Sequence, residues 1–184
     1  LLHGVVAGQS GALTSDGVIH NEGTIRIHGN ARIAQDTIRA VVEYVRDRAD
    51  SQTVAHTTYD TVRFSGRSLK LMTDAARPVV SMTLFRSADT STVIELAPTT
   101  WIEVNGTLRH DGLINPGRRD GTMKLRGTRP QDIAGRGSIP ILELANDSGA
   151  VVTQGISLRV VERLDLQRGL LNITAQDNVR LLND

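Results

Sequence analysis

The chain has 184 residues, of which 39% are hydrophobic and only 3% aromatic. Its 21 basic and 20 acidic residues give a net charge of +1 without a basic stripe or interleaved aromatic residues, so nucleic acid is not an expected partner. The absence of cysteine excludes a disulfide scaffold and a thiolate metal site. No apolar run approaches the roughly 20 residues that cross a membrane, so no transmembrane segment is predicted.

Alternating apolar and polar residues predict short strands of about three to five residues, because a strand presents successive side chains to opposite faces. In chain order they are Thr24–Ile27, Val41–Tyr44, Thr61–Phe64, Met82–Leu84, Val93–Leu96, Trp101–Val104, Met123–Leu125, Ile141–Leu144, Ile156–Leu158, Leu164–Leu166 and Val179–Leu181. Residues 37–48 have the most helical composition, but the β-formers in this segment favour a strand. The following insert, Arg46–Asp50 (RDRAD), is predicted to be a loop, and the pattern around Trp101 predicts that this side chain is buried.

The chain nearly repeats itself. Residues 11–29 read GALTSDGVIHNEGTIRIHG and residues 106–127 read GTLRHDGLINPGRRDGTMKLRG, with a three-residue insertion after Asn115. Each line continues to a segment that contains a glutamine, Gln52 in the first and Gln131 in the second. Internal repetition with evenly spaced turns is typical of a solenoid.

The predicted fold is therefore all-β, a single right-handed parallel β-helix of about eight or nine coils with roughly 20 residues each. Residues 1–184 form one continuous β-solenoid, with an internal repeat of roughly 11–100 and 106–184. A strand spacing near 4.8 Å gives a rod of roughly 40 Å. Because the chain begins at Leu1 without a methionine or a leader-like segment, we expect it to be a mature or excised piece.

The order of these motifs resembles the β-helix repeats of bacterial adhesin-like and filamentous-haemagglutinin-like surface proteins. In the first half the resemblance is carried by Val41–Tyr44, Gln52–Val54, Tyr59–Gly66 and Leu69–Leu71. In the second half it is carried by Gly127-Thr128, Gln131–Ile133, Gly135–Gly137, Leu142–Leu144, Asn146, Gly149 and Leu164–Leu171. The resemblance implies secretion and an extracellular or cell-surface role. It implies no catalytic, cofactor-binding or metal-binding residue.

The histidines His3, His20, His28, His56 and His110 have no metal-ligand spacing and are predicted to be solvated turn residues. Acid pairs such as those of β-helix glycosidases could be drawn from Glu43, Glu95, Glu103, Asp111 and Asp120, but their pattern predicts outward, solubilising charge. No calcium-binding nonapeptide or EF-hand loop is present. The excess of arginine over lysine (Lys70 and Lys124 are the only lysines) is attributed mainly to genome composition.

Asparagines and glycines are predicted to support the corners of the coils, where backbone groups turn away from the strand ladder. The asparagines expected at inner corners are Asn21, Asn115, Asn146 and Asn172, and the corner glycines are Gly17, Gly112 and Gly169.

Repetition and the lack of a catalytic constellation predict a structural or adhesive element rather than an enzyme: a bacterial surface adhesin, a stalk or a self-assembling filament. Expected partners are further copies, stacked head to tail through open coil ends, or a glycan or protein on a host or neighbouring cell. The alternative is a carbohydrate-active enzyme or glycan-binding module, which needs a groove lined with acids or exposed aromatics. A cytoplasmic bactofilin-like scaffold is disfavoured because its coils are shorter and more regular.

Overall fold

The computed structural model describes residues 10–13, 19–33, 36–74, 77–153, 157–173 and 178–181. Strands are the only regular secondary structure in these segments. They are β1 Ser10–Leu13, β2 Ile19–Ile27, β3 Asn30–Ile33, β4 Thr37–Val45, β5 Ser51–Thr53, β6 Thr58–Ser65, β7 Leu69–Met72, β8 Val79–Ser87, β9 Val93–Leu96, β10 Trp101–Val104, β11 Thr107–His110, β12 Leu113–Ile114, β13 Thr122–Leu125, β14 Gln131–Ala134, β15 Ser138–Ala145, β16 Ala150–Val152, β17 Ser157–Arg168, β18 Leu171–Asn172 and β19 Asn178–Leu181. Of the residues singled out in the sequence, His3, Gly17 and Ile156 lie outside the described residues.

The strands stack in parallel on three faces, and most of them pair with the equivalent strands one coil earlier and one coil later, while β1 and β3 form a separate two-stranded sheet. Face A contains the first parts of β2, β4, β6 and β8, then β10, β13, residues 141–144 of β15 and 163–168 of β17. Face B contains the last parts of β2, β4, β6 and β8, then β11, β14, β16 and β18. Face C contains β1, β3, β5, β7, β9 and β12, then the first parts of β15 and β17, and β19.

Seven successive pairings on face B correspond to about seven turns, slightly fewer than the eight or nine predicted. At about 4.8 Å per strand, the described stack is roughly 34 Å long. The all-β solenoid prediction is confirmed.

Several strands are longer than predicted because they continue from face A to face B without a turn. In β8, for example, residues 79–81 pair with β10 and residues 84–87 pair with β11. The register shifts at this bend in β6, between Tyr59 and Thr61, so the strand changes face through an irregularity in the ladder. Residues 37–45 form β4, as the strand prediction required.

The core is a narrow column of inward side chains, and strand alternation accounts for it. In β10 and β13 the buried residues are Ile102, Val104, Met123 and Leu125, and the residues between them are partly exposed. One end of the column is aromatic. Tyr44, Tyr59, Phe64 and Phe85 are fully buried, with 5.8 Å between the ring centroids of Tyr44 and Phe64 and 5.4 Å between those of Phe64 and Phe85. Four of the five aromatic residues therefore pack together inside the coils.

The two similar segments occupy different faces. Residues 24–27 of the first segment lie on face B, whereas their counterparts in the second segment, residues 122–125, lie on face A. The similarity therefore marks a recurring unit of strand and corner rather than the same position in successive coils.

Variation in coil length is confined to the corners. The insertion after Asn115 lies in the connection from β12 to β13, and the RDRAD segment connects β4 to β5, as predicted. In both places the parallel register continues on the flanking strands. Corner loops can therefore differ in length without disturbing the stack.

Candidate functional site

A groove of about 620 Å³ follows the corner between faces A and B. It is lined by Met82, Thr83, Glu103, Asn105, Gly106, Thr107, Arg126, Gly127, Thr128, Arg129, Pro130, Ala145 and Arg168, which belong to successive coils. Only two residues connect β10 to β11 at this corner, but five connect β13 to β14. The longer segment, residues 126–130, forms one wall of the groove.

Glycines form the floor of the groove, because successive coils approach each other so closely at this corner that a side chain would not fit between them. A Cβ atom on Gly106 would lie 2.0 Å from the Thr83 carbonyl oxygen, and one on Gly127 would lie 2.5 Å from the Asn105 carbonyl oxygen. Gly169, two coils further on, has a φ of +83°, and its Cβ would lie 1.9 Å from the Asn146 carbonyl oxygen. The predicted corner role of Gly169 is confirmed.

The buried side-chain amides of Gln131 and Asn146 stabilise this corner from the core side. Gln131 Nε2 donates to the carbonyl oxygens of Val104 and Gly106, both at 2.8 Å, and Gln131 Oε1 accepts from the Gly127 N–H at 3.0 Å. The second amide, Asn146 Nδ2, donates to Gln131 Oε1 at 2.9 Å. The Gly106 carbonyl and the Gly127 N–H thereby gain the partner that they need at the turn, while the Val104 carbonyl also accepts the Arg126 N–H at 3.0 Å.

Gln52, which sequence similarity aligns with Gln131, makes the same contact on another face. Its Nε2 donates to the carbonyl oxygens of Ile27, at 2.7 Å, and Gly29, at 2.9 Å, both one coil earlier. The shared motif is therefore a buried glutamine that spans two coils at a corner.

The groove carries more positive than negative side chains. Arg126 Nη2 donates to Glu143 Oε1 at 3.2 Å, and Arg168 Nη1 lies 3.6 Å from Asp147 Oδ2. Among the described residues, Arg129 makes no ion pair or side-chain hydrogen bond, and Glu103 is the one carboxylate that lines the groove. The site can therefore attract an anionic or hydroxyl-rich ligand more readily than a cation.

Trp101 is partly exposed, so the prediction that it is buried was wrong. The alternation of β10 directs Ile102 and Val104 inward and leaves Trp101 and Glu103 on the outer surface of face A. The Lys124 ammonium nitrogen lies 4.8 Å from the centroid of the indole ring, a cation–π contact.

The candidate acids are not brought together as a catalytic pair. Glu43 lies on face B, Glu95 on face C and Glu103 on face A. Glu43 forms a 3.1 Å ion pair with Arg26, and Glu95 accepts from Arg118 at 3.3 Å.

The two candidate aspartates also have local partners. Asp111 accepts from the Arg136 N–H at 3.1 Å, while Asp120 pairs with Arg118 and accepts from Asn115. The hydrogen bond from Arg118 lowers the pKa of the Asp120 carboxyl. The register does place Glu143 beside Asp165 on face A, a proximity that sequence spacing did not reveal. Lys124 and Arg126 both contact Glu143, so its charge is compensated.

His110 is fully buried, which contradicts its predicted role as a solvated turn residue. Its Nε2 donates to the Ser138 carbonyl oxygen at 3.2 Å, so Nδ1 accepts from the Ser87 hydroxyl at 2.8 Å. Ser87 Oγ in turn accepts the backbone N–H groups of Asp111 and Gly112, each at 3.0 Å. Burial lowers the pKa of His110 to about 4. This Ser–His pair is enclosed in the core, and its hydrogen bonds to backbone groups stabilise the corner after β11.

The other histidines differ from one another. His28 is exposed, while His56 uses both ring nitrogens, with Nδ1 2.7 Å from the Arg77 carbonyl oxygen and Nε2 accepting from the Asp74 N–H. The side chain of His20 lies outside the described residues. Within the described segments no group of three or more potential metal-binding side chains lies together.

Lys70 is a buried cation that the sequence pattern did not identify. Its ammonium nitrogen donates to Gln52 Oε1 and Ser68 Oγ, both at 2.7 Å. Burial lowers the pKa of Lys70 to about 8, although Asp47 acts in the opposite direction. Lys70 and Gln52 are paired in register on face C, so they form a polar segment within the core.

The asparagine predictions were correct in two of the three places that can be assessed. Asn115 Oδ1 accepts from the Leu96 N–H at 2.7 Å, and Asn115 Nδ2 donates to the Asp120 carbonyl oxygen at 2.8 Å. Asn146 is also a buried corner residue. Asn172 is exposed in β18, so its predicted inner position was wrong, and the Asn21 side chain lies outside the described residues.

Gly112 is buried, and a Cβ at this position would lie 2.3 Å from the Thr92 carbonyl oxygen, as expected of a corner glycine.

The last described coil of the solenoid has an apolar rim that no other described residue covers. Leu144 and Leu166 are paired in register and both face the core, but Leu144 is 1% exposed and Leu166 is 53% exposed. Leu170 is 74% exposed and Ile173 is 46% exposed. No described strand pairs with residues 161–168 on their outer edge.

In the segments that the structure describes, there is no helix long and apolar enough to span a membrane. Comparisons with protein-family models, curated protein sequences and solved structures give no significant match to this chain.

Proposed function

We propose that this protein is a structural or adhesive β-solenoid of the bacterial cell surface, acting outside the cell as part of an adhesin, a stalk or a self-assembling filament. The proposal is supported by the parallel stack and, above all, by the exposed apolar rim of the last described coil. It agrees with the resemblance to adhesin-like and filamentous-haemagglutinin-like repeats.

Two features of the rim, a strand edge and an exposed apolar side chain, determine what kind of segment could cover it. Residues 161–168 present a strand edge, and Leu166 presents an apolar side chain at the end of the core column. An unpaired edge next to apolar surface is a template for another strand. A further coil fits both requirements, and we propose that a second copy of this chain supplies it.

Self-association is tested by analytical ultracentrifugation over a wide concentration range. The wild-type protein is expected to form species heavier than the 19.9 kDa chain as concentration rises. The double variant Leu166→Asp/Leu170→Asp places charge on the rim and is expected to remain monomeric. Leu113→Asp, at an exposed position on the side of face C, is the matched control and should associate like the wild type. A wild-type protein that stays monomeric at all concentrations would refute self-assembly.

A second candidate function, a glycan-binding module, is favoured by the corner groove and the partly exposed Trp101. We propose that this role is non-catalytic, because Glu43, Glu95 and Glu103 lie on different faces, and all of the candidate acids except Glu103 are paired with arginines. Incubation with a polysaccharide panel is expected to release no new reducing ends and no unsaturated products. Release of either product would contradict the non-catalytic role.

A further inference from the structure

Three arginines form a ladder on the outer surface of face B. Arg63 pairs in register with Arg86, and Arg86 with Arg109, at equal intervals of 23 residues. Their neighbours along each strand, among them Val62, Phe85 and Leu108, are fully buried, so the three arginines point outward. With strands about 4.8 Å apart, the ladder spans roughly 10 Å along the solenoid axis.

The charge of this ladder is poorly compensated. Among the described residues, Arg63 and Arg86 form no ion pair, and the Nε atoms of both are buried without a hydrogen-bond partner. At the ends of the ladder, Glu43 is engaged by Arg26 at 3.1 Å, and Asp111 lies 3.9 Å from Arg109 Nε. Like charges directly opposite each other on neighbouring strands are destabilising, so an external anion would stabilise the ladder.

We infer that the Arg63–Arg86–Arg109 ladder binds an anionic polysaccharide that runs parallel to the solenoid axis. The planar guanidinium group pairs with carboxylates and other oxyanions through two hydrogen bonds, and a row of such groups matches a chain with repeated acidic substituents. Thr107, two residues before Arg109 on the same strand, also lines the corner groove. Its hydroxyl is available to the neutral part of such a chain.

A polysaccharide accounts for this surface better than nucleic acid or a membrane. Tyr44, Phe64 and Phe85 on the strands of face B are fully buried, so they offer no platform on which bases could stack. The net charge of +1 and the narrow width of the ladder do not provide the broad basic surface that a duplex or an anionic bilayer requires.

Isothermal titration calorimetry of the full chain tests the inference at low ionic strength. The probes are a polyuronate oligosaccharide, which carries carboxylates, and dextran sulfate, which carries sulfate esters, with neutral dextran for comparison. Wild-type protein is expected to bind at least one of the two anionic polymers and not neutral dextran. Arg86→Gln is expected to weaken binding about tenfold or more. Arg159→Gln, at an exposed position on face C, is the matched control and should bind like the wild type.

Arg86→Gln is expected to weaken binding but to stabilise the fold. Removing one of three stacked charges relieves repulsion, so Arg86→Gln is expected to raise the melting temperature by about 2 °C at low salt. This result separates lost binding from misfolding.

The inference is overturned if wild-type protein binds neither anionic polymer, if Arg86→Gln binds as tightly as the wild type, or if single-stranded poly(dT) or anionic vesicles bind more tightly than either polysaccharide. The ladder lies on the side of the solenoid, so sedimentation of the same samples shows independently whether the rim associates.

Discussion

His110 makes the stability of this solenoid sensitive to acid. Its pKa is lowered from 6.5 to about 4 by burial, so between these values the unfolded chain binds a proton that the folded chain does not. The contribution of His110 to stability is therefore fully present above about pH 6.5 and is lost as the pH falls toward 4, by about 3 kcal/mol in total. Urea unfolding at several pH values should show this loss in the wild-type protein.

Replacement of the imidazole by an amide isolates its contribution. His110→Gln retains one donor for the Ser138 carbonyl and one acceptor for the Ser87 hydroxyl, but it cannot titrate. The loss of stability between pH 6.5 and 4 should therefore be smaller by about 3 kcal/mol than in the wild type. His28→Gln, at an exposed site, should keep the wild-type dependence. Equal slopes for wild-type and His110→Gln proteins would show that another group dominates the acid response.

At the scale of strands and corners, Gln131 joins two coils beneath the groove. Gln131→Leu would remove one of two donors to the Val104 carbonyl, which keeps its bond from the Arg126 N–H, and would leave the Gly106 carbonyl and the Gly127 N–H without their partner. We expect a loss of about 3 kcal/mol in the free energy of unfolding. Gln167→Leu, an exposed glutamine in β17, should change it by less than about 0.5 kcal/mol. The corner role is refuted if both variants unfold alike in urea.

The elements that the sequence predicts well are those determined by local pattern. Alternation located the strands, including β4 despite its helical composition, and turn chemistry identified Asn115 and Asn146 as corner residues. Asn172 has the same residue type, but it lies on the last described coil, where no inner corner encloses it. The prediction for Trp101 was wrong because a large apolar side chain was expected inside, although the alternation of β10 places it on the same face as Glu103 and opposite Ile102 and Val104.

Features that depend on the stacking register could not be read from the sequence in the same way. The ladder of Arg63, Arg86 and Arg109 exists because three successive coils on face B repeat at the same interval. His110 is buried because its ring meets Ser87 one coil earlier and Ser138 one coil later. Recognising either requires coil lengths, which vary at the corners. The equal spacing of the three arginines is the one signal that was present.

At the scale of the whole molecule, stability is expected to decrease along the solenoid toward the last described coil. In a stacked fold each coil is stabilised mainly by its two neighbours, and residues 161–168 have a described neighbour on one side only. Their amides are therefore expected to exchange with deuterium faster than those of β13, which is paired with β10 and β15. Mass spectrometry of peptides from the two regions measures the difference.

The same experiment at higher protein concentration tests the proposed assembly. If a second copy covers the rim, protection of residues 161–173 should rise with concentration, while protection of β13 should stay constant, because β13 already has both neighbours. The Leu166→Asp/Leu170→Asp variant should lose the concentration dependence and keep the slow exchange of β13. If exchange at the rim is fast at every concentration, the rim is free in solution and self-assembly through it is wrong. If it is already slow in dilute monomer, the last coil needs no cover, and the observation on which the assembly proposal rests would be removed.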